Sequence, residues 1–141
     1  MRRTRSRWAA RRATESPARR PPRARARRTR HAGGVTDYNT EQPLRADVDA
    51  MRGPAVVAFG TDWCGYCLAA ERHIAPALAA HPDVPVLSVE DGPGRPLGRS
   101  YRVKLWPTLI FLRDGVEVER LVRPTDRGSV DRALAAITEP S

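Results

Sequence analysis

The sequence predicts a small α/β domain: a central mixed sheet with parallel strands and a C-terminal antiparallel hairpin, flanked by helices. Three observations predict it. Ala55-Val56-Val57-Ala58-Phe59 is a short, continuous apolar run of the kind found in a strand covered on both faces. Segments with apolar residues at helical spacing lie on either side of it and again near the C-terminus. Late in the chain, Arg113-Asp114-Gly115 separates two strand-like runs, a hairpin signal.

The elements follow in order. Leu44, Val48 and Met51 recur at helical spacing, with Pro43 near the start and Gly53 just past the end, which predicts a first helix over 43–51. After strand 55–59, Gly60-Thr61-Asp62-Trp63 leads into the cysteines. The Ala- and Leu-rich stretch 64–80 predicts a helix with a kink near Arg72, caused by Pro76, and a stop before Pro82. Residues 84–89 read as a strand broken by Asp91-Gly92-Pro93-Gly94, and 96–101 as a short helix. The hairpin strands are 107–112 and 116–122. A closing helix over 129–137 has Val130, Leu134 and Ile137 on one face. The chain contains no internal repeat. This order implies parallel central strands, then an antiparallel pair, with helices over the sheet.

A chain of 141 residues suits one domain with a core of its own. The charge is uneven. Residues 1–34 hold 13 Arg and one acid (+12), whereas 35–141 hold 12 Lys and Arg and 15 acids (−3), so the strongly basic balance belongs to the leader. That leader is Arg, Ala and Pro with Thr and Ser, too poor in apolar surface to offset its ordering entropy, and is expected to be disordered. Three readings apply to it: a basic arm for nucleic acid or acidic surfaces, a targeting segment, or an extension without function. The last includes a misassigned start in a GC-rich genome, with Val35 the true first residue. The globular domain is assigned to 35–141. No stretch of about 18 apolar residues exists for a membrane helix. The leader also lacks the apolar core, roughly 7–15 residues, of a secretory signal. The expected compartment is the cytoplasm.

Only two cysteines are present, Cys64 and Cys67, which is not the pattern of a disulfide-stapled secreted protein. Two thiols three apart at the first turn of a helix can close a short loop, and the unsatisfied N–H groups there favour a thiolate on the first. Cys64 is therefore read as the nucleophile on the exposed side of the turn, and Cys67, one turn deeper, as the resolving thiol. A zinc site would need two further ligands. His73 falls six residues after Cys67, off its helical face, and His31 and His81 have no partner motif, so no metal is expected. An inert core pair is the other bland alternative; the position just after a buried-type strand and at a helix start argues against it.

At these residues the chain resembles the thioredoxin family, across essentially all of 35–141. The resemblance rests on the W-C-G-x-C motif Trp63-Cys64-Gly65-Tyr66-Cys67 and on Lys104-Leu105-Trp106-Pro107-Thr108 leading into Leu109-Ile110-Phe111-Leu112 and Asp114-Gly115. It implies a thioredoxin-like fold in which Pro107 is a cis proline facing the cysteines. It also implies a substrate groove where the backbone of Trp106 pairs with an extended protein segment. Trp63, Gly65, Tyr66, Trp106 and Pro107 are then the substrate-binding residues. Trp106 is expected exposed beside Cys64, and Trp63 packed under the active-site loop. The implied substrates are disulfide-containing proteins, the electron donor is a reductase or a small thiol, and the chain acts as a monomer without a cofactor.

The sequence departs from the family at three points. Ala58 and Val86 stand where the family carries a buried Asp and a Lys, so the proton of the resolving thiol must go to water, Glu90, Asp62 or the substrate. Gly65-Tyr66 replaces the usual Gly-Pro and resembles motifs of disulfide isomerases. Arg123 falls where the family has a loop Gly and, with Arg102 and Lys104, could favour acidic substrates. The expected activity is reduction of protein disulfides through Cys64 and Cys67. Isomerase or oxidase chemistry and a non-catalytic binding module are the alternatives.

Overall fold

The computed structural model describes residues 37–140. The readings made for 1–34 and for Val35 lie outside the described residues. In chain order the elements are α1 (Arg45–Asp49), β1 (Pro54–Gly60), α2 (Gly65–Ala79), β2 (Val86–Glu90), α3 (Pro96–Ser100), β3 (Thr108–Arg113), β4 (Val116–Val122) and α4 (Arg127–Thr138). The strands form one mixed sheet in the order β2-β1-β3-β4. Strand β1 runs parallel to β2 and antiparallel to β3, which is antiparallel to β4.

The two apolar runs are the central strands, which is why neither alternates with polar residues. One sheet face, with Val56, Ala58, Leu109 and Phe111, packs against Ile74 and Leu78 of α2 and Val130, Leu134 and Ile137 of α4. The other, with Val57, Phe59, Ile110 and Leu112, packs against Val48 of α1 and Leu97 of α3. Arg45 ties the two short helices together: its Cζ lies 3.7 Å from the Tyr101 ring centroid, and its guanidinium donates to the Ser100 carbonyl at 2.8 Å.

Several boundaries differ from the sequence reading. Helix α1 is shorter than 43–51, because Leu44 is extended at φ −73°, ψ 147°. Strand β2 starts at Val86, after Pro85, because the Val84 N–H is used in a turn to His81. Pro107 stands before β3, having no N–H to give the ladder. Helix α4 starts earlier than 129, because the Asp126 side chain caps it by accepting from Ser129 N at 2.8 Å. Helix α2 is assigned continuously through Pro76.

The hairpin turn is the one the sequence signals. Asp114 and Gly115 both have positive φ, 51° and 78°, as a two-residue loop between twisted strands requires. A Cβ on Gly115 would also lie 1.9 Å from the Asp49 carbonyl oxygen, so the glycine lets the turn dock on the end of α1. One pairing was not expected. Asn39 bridges Val89 in parallel, with Asn39 N donating to Ser88 O and Glu90 N to Asn39 O, each at 2.9 Å. The segment before α1 thus borders β2, and this seats Tyr38 in the core beside both cysteines.

Candidate active site

Cys64 is the N-cap residue of α2, and its carbonyl accepts from the N–H groups of Cys67 and Leu68, each at 3.1 Å. Cys67 lies in the first turn. Both are free thiols. The placement of Cys64 corrects the sequence reading: it is only 7% exposed, little more than Cys67 at 4%, because it belongs to the core cluster with Tyr38, on which Trp106 packs. The two thiols lie close together. Burial pushes the Cys67 thiol up to about 11, and its contact with Cys64 pushes the same way; the backbone N–H of Thr61 and the nearby Tyr38 hydroxyl pull it down.

Aromatic residues frame the pair. Trp63 is not packed under the loop but 75% exposed, and it stands edge-on to Trp106 with ring centroids 5.8 Å apart. Trp106 is half-buried, packs on the core cluster that holds both cysteines, and donates from Nε1 to Asp91 Oδ2 at 2.8 Å. The Trp106–Pro107 peptide bond is cis, and Pro107 is buried. Tyr66 is exposed, and a Cβ on Gly65 would meet nothing within 4 Å, so both inner residues of the motif lie at the surface. The structure therefore brings Trp63 against Trp106, which packs on the cluster that holds Cys64 and Cys67 and precedes the cis Pro107, with Gly65 and Tyr66 on the outer side of the turn.

Arg123 joins these parts. Its backbone N donates to Pro107 O at 2.9 Å, its Nε to Trp106 O at 2.8 Å, and its Cζ lies 3.6 Å from the Tyr66 ring centroid. It does so with φ at 51°, the left-handed region that favours glycine. The Trp106 carbonyl is thus already engaged within the chain. Arg102 and Lys104 are exposed.

Beneath the cysteines, the cross-strand neighbour of Ala58 is Ser88, not Val86; Val86 pairs with Val56. Ser88 is buried and uncharged, so neither strand position carries an ionisable group. Among the described residues no group of three or more His, Cys, Asp or Glu is placed to hold a metal.

Two polar residues beside the site escaped the sequence reading, Asp91 and Tyr38. Asp91 was read only as a strand breaker, and nothing in its spacing points to an indole 15 residues later. Tyr38 had one indirect signal. Gly60 ends an otherwise apolar strand, and a strand glycine marks close approach by another group. A Cβ on Gly60 would lie 2.7 Å from Tyr38 Cζ and 2.7 Å from Cys67 Sγ.

The thioredoxin family model matches residues 35–136. A thioredoxin of Mycobacterium tuberculosis is 30% identical over 105 residues, which are 70% of this chain and 85% of that protein. One of Chlamydia trachomatis is 34% identical over 84 residues, 59% of this chain and 81% of the other. Among solved structures, reduced thioredoxin 2 of Pseudomonas aeruginosa is similar with a TM-score of 0.65 and 51% identity, covering 71% of this chain and 93% of its own.

Proposed function

The chain belongs to the thioredoxin family, whose members are protein-disulfide oxidoreductases, and from that premise we propose that it reduces disulfides in other proteins, with Cys64 as nucleophile and Cys67 as resolving thiol. The observation that carries this reading is the asymmetry of the two thiols on α2. Cys64 occupies the N-cap position of the helix, next to the exposed Trp63 and Tyr66; Cys67 lies within the first turn, with its thiol pushed up to about 11.

The Cys64 thiolate attacks one sulfur of a substrate disulfide, and the other sulfur leaves as a thiolate that takes up a proton. Cys67 then gives up its proton and attacks Cys64. The Cys64–substrate bond breaks, the Cys64–Cys67 bond forms, and the second substrate sulfur leaves reduced. Two electrons pass to the substrate, and a reductase or a small thiol returns them. A compartment that keeps thiols reduced, the cytoplasm, suits this direction.

Trp63, Gly65, Tyr66, Trp106 and Pro107 form the surface on which a substrate segment lies in this reading. Apolar contact with Trp63 and Tyr66 is tolerant of sequence, which suits a broad set of protein substrates. The test is insulin reduction with each cysteine replaced in turn. Cys64→Ser is expected to abolish turnover, and Cys67→Ser to accumulate a protein–substrate mixed disulfide visible on a non-reducing gel. Substantial turnover by Cys64→Ser would overturn the assignment.

A further inference from the structure

A polar group from outside the cysteine motif reaches the resolving thiol. Tyr38 is buried, and its backbone is fixed from two sides. Its N–H donates to Asp62 Oδ1 at 3.0 Å, and the next residue, Asn39, bridges β2. The ring runs to Gly60, the last residue of β1. A Cβ there would stand 2.8 Å from Tyr38 Oη and 2.7 Å from Cys67 Sγ, so hydroxyl and thiol share the space that any other residue's side chain would fill.

The hydroxyl is buried and makes no hydrogen bond with the neutral thiol present; the Cys67 sulfur is the polar atom that shares its space. A neutral thiol is a weak acceptor, whereas a thiolate is a strong one. The donor is thus held where its acceptor becomes good only when Cys67 loses its proton.

We propose that Tyr38 donates a hydrogen bond to the thiolate of Cys67 and thereby speeds the resolving step. The proposal rests on the disulfide exchange described above. The proton leaving Cys67 goes to the substrate thiolate already released by the attack of Cys64 and not to Tyr38, which keeps its own throughout. As the Cys67 sulfur bonds to Cys64 and the substrate sulfur departs, the charge on Cys67 moves to that sulfur, which takes up a proton. When Cys64–Cys67 is reduced again by attack on Cys64, Cys67 leaves as a thiolate and meets the same donor.

The groups facing the pair agree with a donor role. Burial, Cys67 and, from α2, Glu71 and Cys64 all push the Tyr38 hydroxyl above its ordinary range, so it stays protonated wherever the protein works. Thr61, from the loop after β1, offers its backbone N–H to the same sulfur. Tyr38 and Thr61 therefore hold Cys67 as a donor pair, against the effect of burial.

The experiment reads the Cys67 thiol directly. In Cys64→Ser, the rate of Cys67 alkylation by iodoacetamide is followed against pH, with Tyr38 intact and with Tyr38→Phe. Loss of the hydroxyl is expected to raise the midpoint by about one pH unit. In the chain with both cysteines, Tyr38→Phe is expected to lengthen the life of the mixed disulfide about threefold in a single turnover, because the thiolate fraction falls while the thiolate that remains is the better nucleophile, with the initial attack by Cys64 unchanged. An unchanged midpoint overturns the proposal. Should Tyr38→Phe fail to fold, 13C NMR of the tyrosine ring in Cys64→Ser decides instead: the Tyr38 Cζ signal is expected to shift with the Cys67 midpoint, and a flat signal overturns the proposal. These titrations need no substrate, so failure of insulin reduction in the native chain would count against the reductase reading and leave the role of Tyr38 to be judged on its own.

Discussion

Arg123 covers Tyr66: its guanidinium carbon lies 3.6 Å from the ring centroid, while the same side chain donates from Nε to the Trp106 carbonyl. Arg123→Ala removes both contacts and leaves a left-handed backbone residue. Arg123→Gly removes them and also relieves the backbone, by about 1 kcal/mol. Both variants are expected to change KM for a protein disulfide more than kcat, with the glycine variant about 1 kcal/mol the more stable in urea unfolding. Equal stability of the two would show that φ 51° carries no cost at this position.

Gly60→Ala puts a methyl group 2.7 Å from Cys67 Sγ and from Tyr38 Cζ, nearer than carbon atoms pack. Neither group is a loose side-chain end, since Tyr38 is held through Asp62 and Cys67 is on α2. A loss of about 2 kcal/mol is expected on the overpacking scale, measured by urea unfolding of the reduced protein. A shift under 0.5 kcal/mol, roughly the level of an ordinary surface change, would mean that the tyrosine ring can move aside.

Two further glycines should separate cleanly. Gly115→Ala meets the Asp49 carbonyl at 1.9 Å with φ at 78°, and is expected to cost at least 2 kcal/mol or so. Gly65→Ala enters open space in the first turn of α2 and is expected to be neutral or stabilising by up to ~1 kcal/mol. Thermal unfolding of the two variants side by side checks the contrast.

The Cys67 thiol also gives the reduced protein a pH signature. Its folded value of about 11 lies above the ordinary 9.0, so the folded state holds this proton more tightly than the unfolded chain does. The associated stability is fully present below pH 9 and is lost as pH rises through about 11. Reduced native protein is expected to lose stability over this window more steeply than Cys67→Ser. Parallel curves would contradict the burial of the thiol.

Much of this was legible in the sequence because it follows from local rules. The unbroken apolar runs gave β1 and β3, Asp114-Gly115 gave the hairpin, and the residues after β1 placed Cys64 and Cys67 at the start of a helix. The errors concern groups brought together by the tertiary fold. The strand register, which puts Ser88 opposite Ala58 and Val86 opposite Val56, is not written in either strand alone. Trp63 is turned outward against Trp106 by a contact across 43 positions of chain. Tyr38 sits in a stretch with no periodicity or motif, and only the glycine at the end of β1 hinted that something approaches there.

The bridge from Asn39 to Val89 has a practical side for anyone trimming or transplanting this domain. A chain begun at α1 would keep both cysteines, Trp63 and Trp106, the cis proline and all four strands, and by inspection of its motifs it would look complete. It would lack Tyr38, and with it the wall beside Cys67 and the partner of Asp62. Water would then reach a sulfur that the full domain keeps covered, and such a fragment would be a poor reference for the domain's redox behaviour.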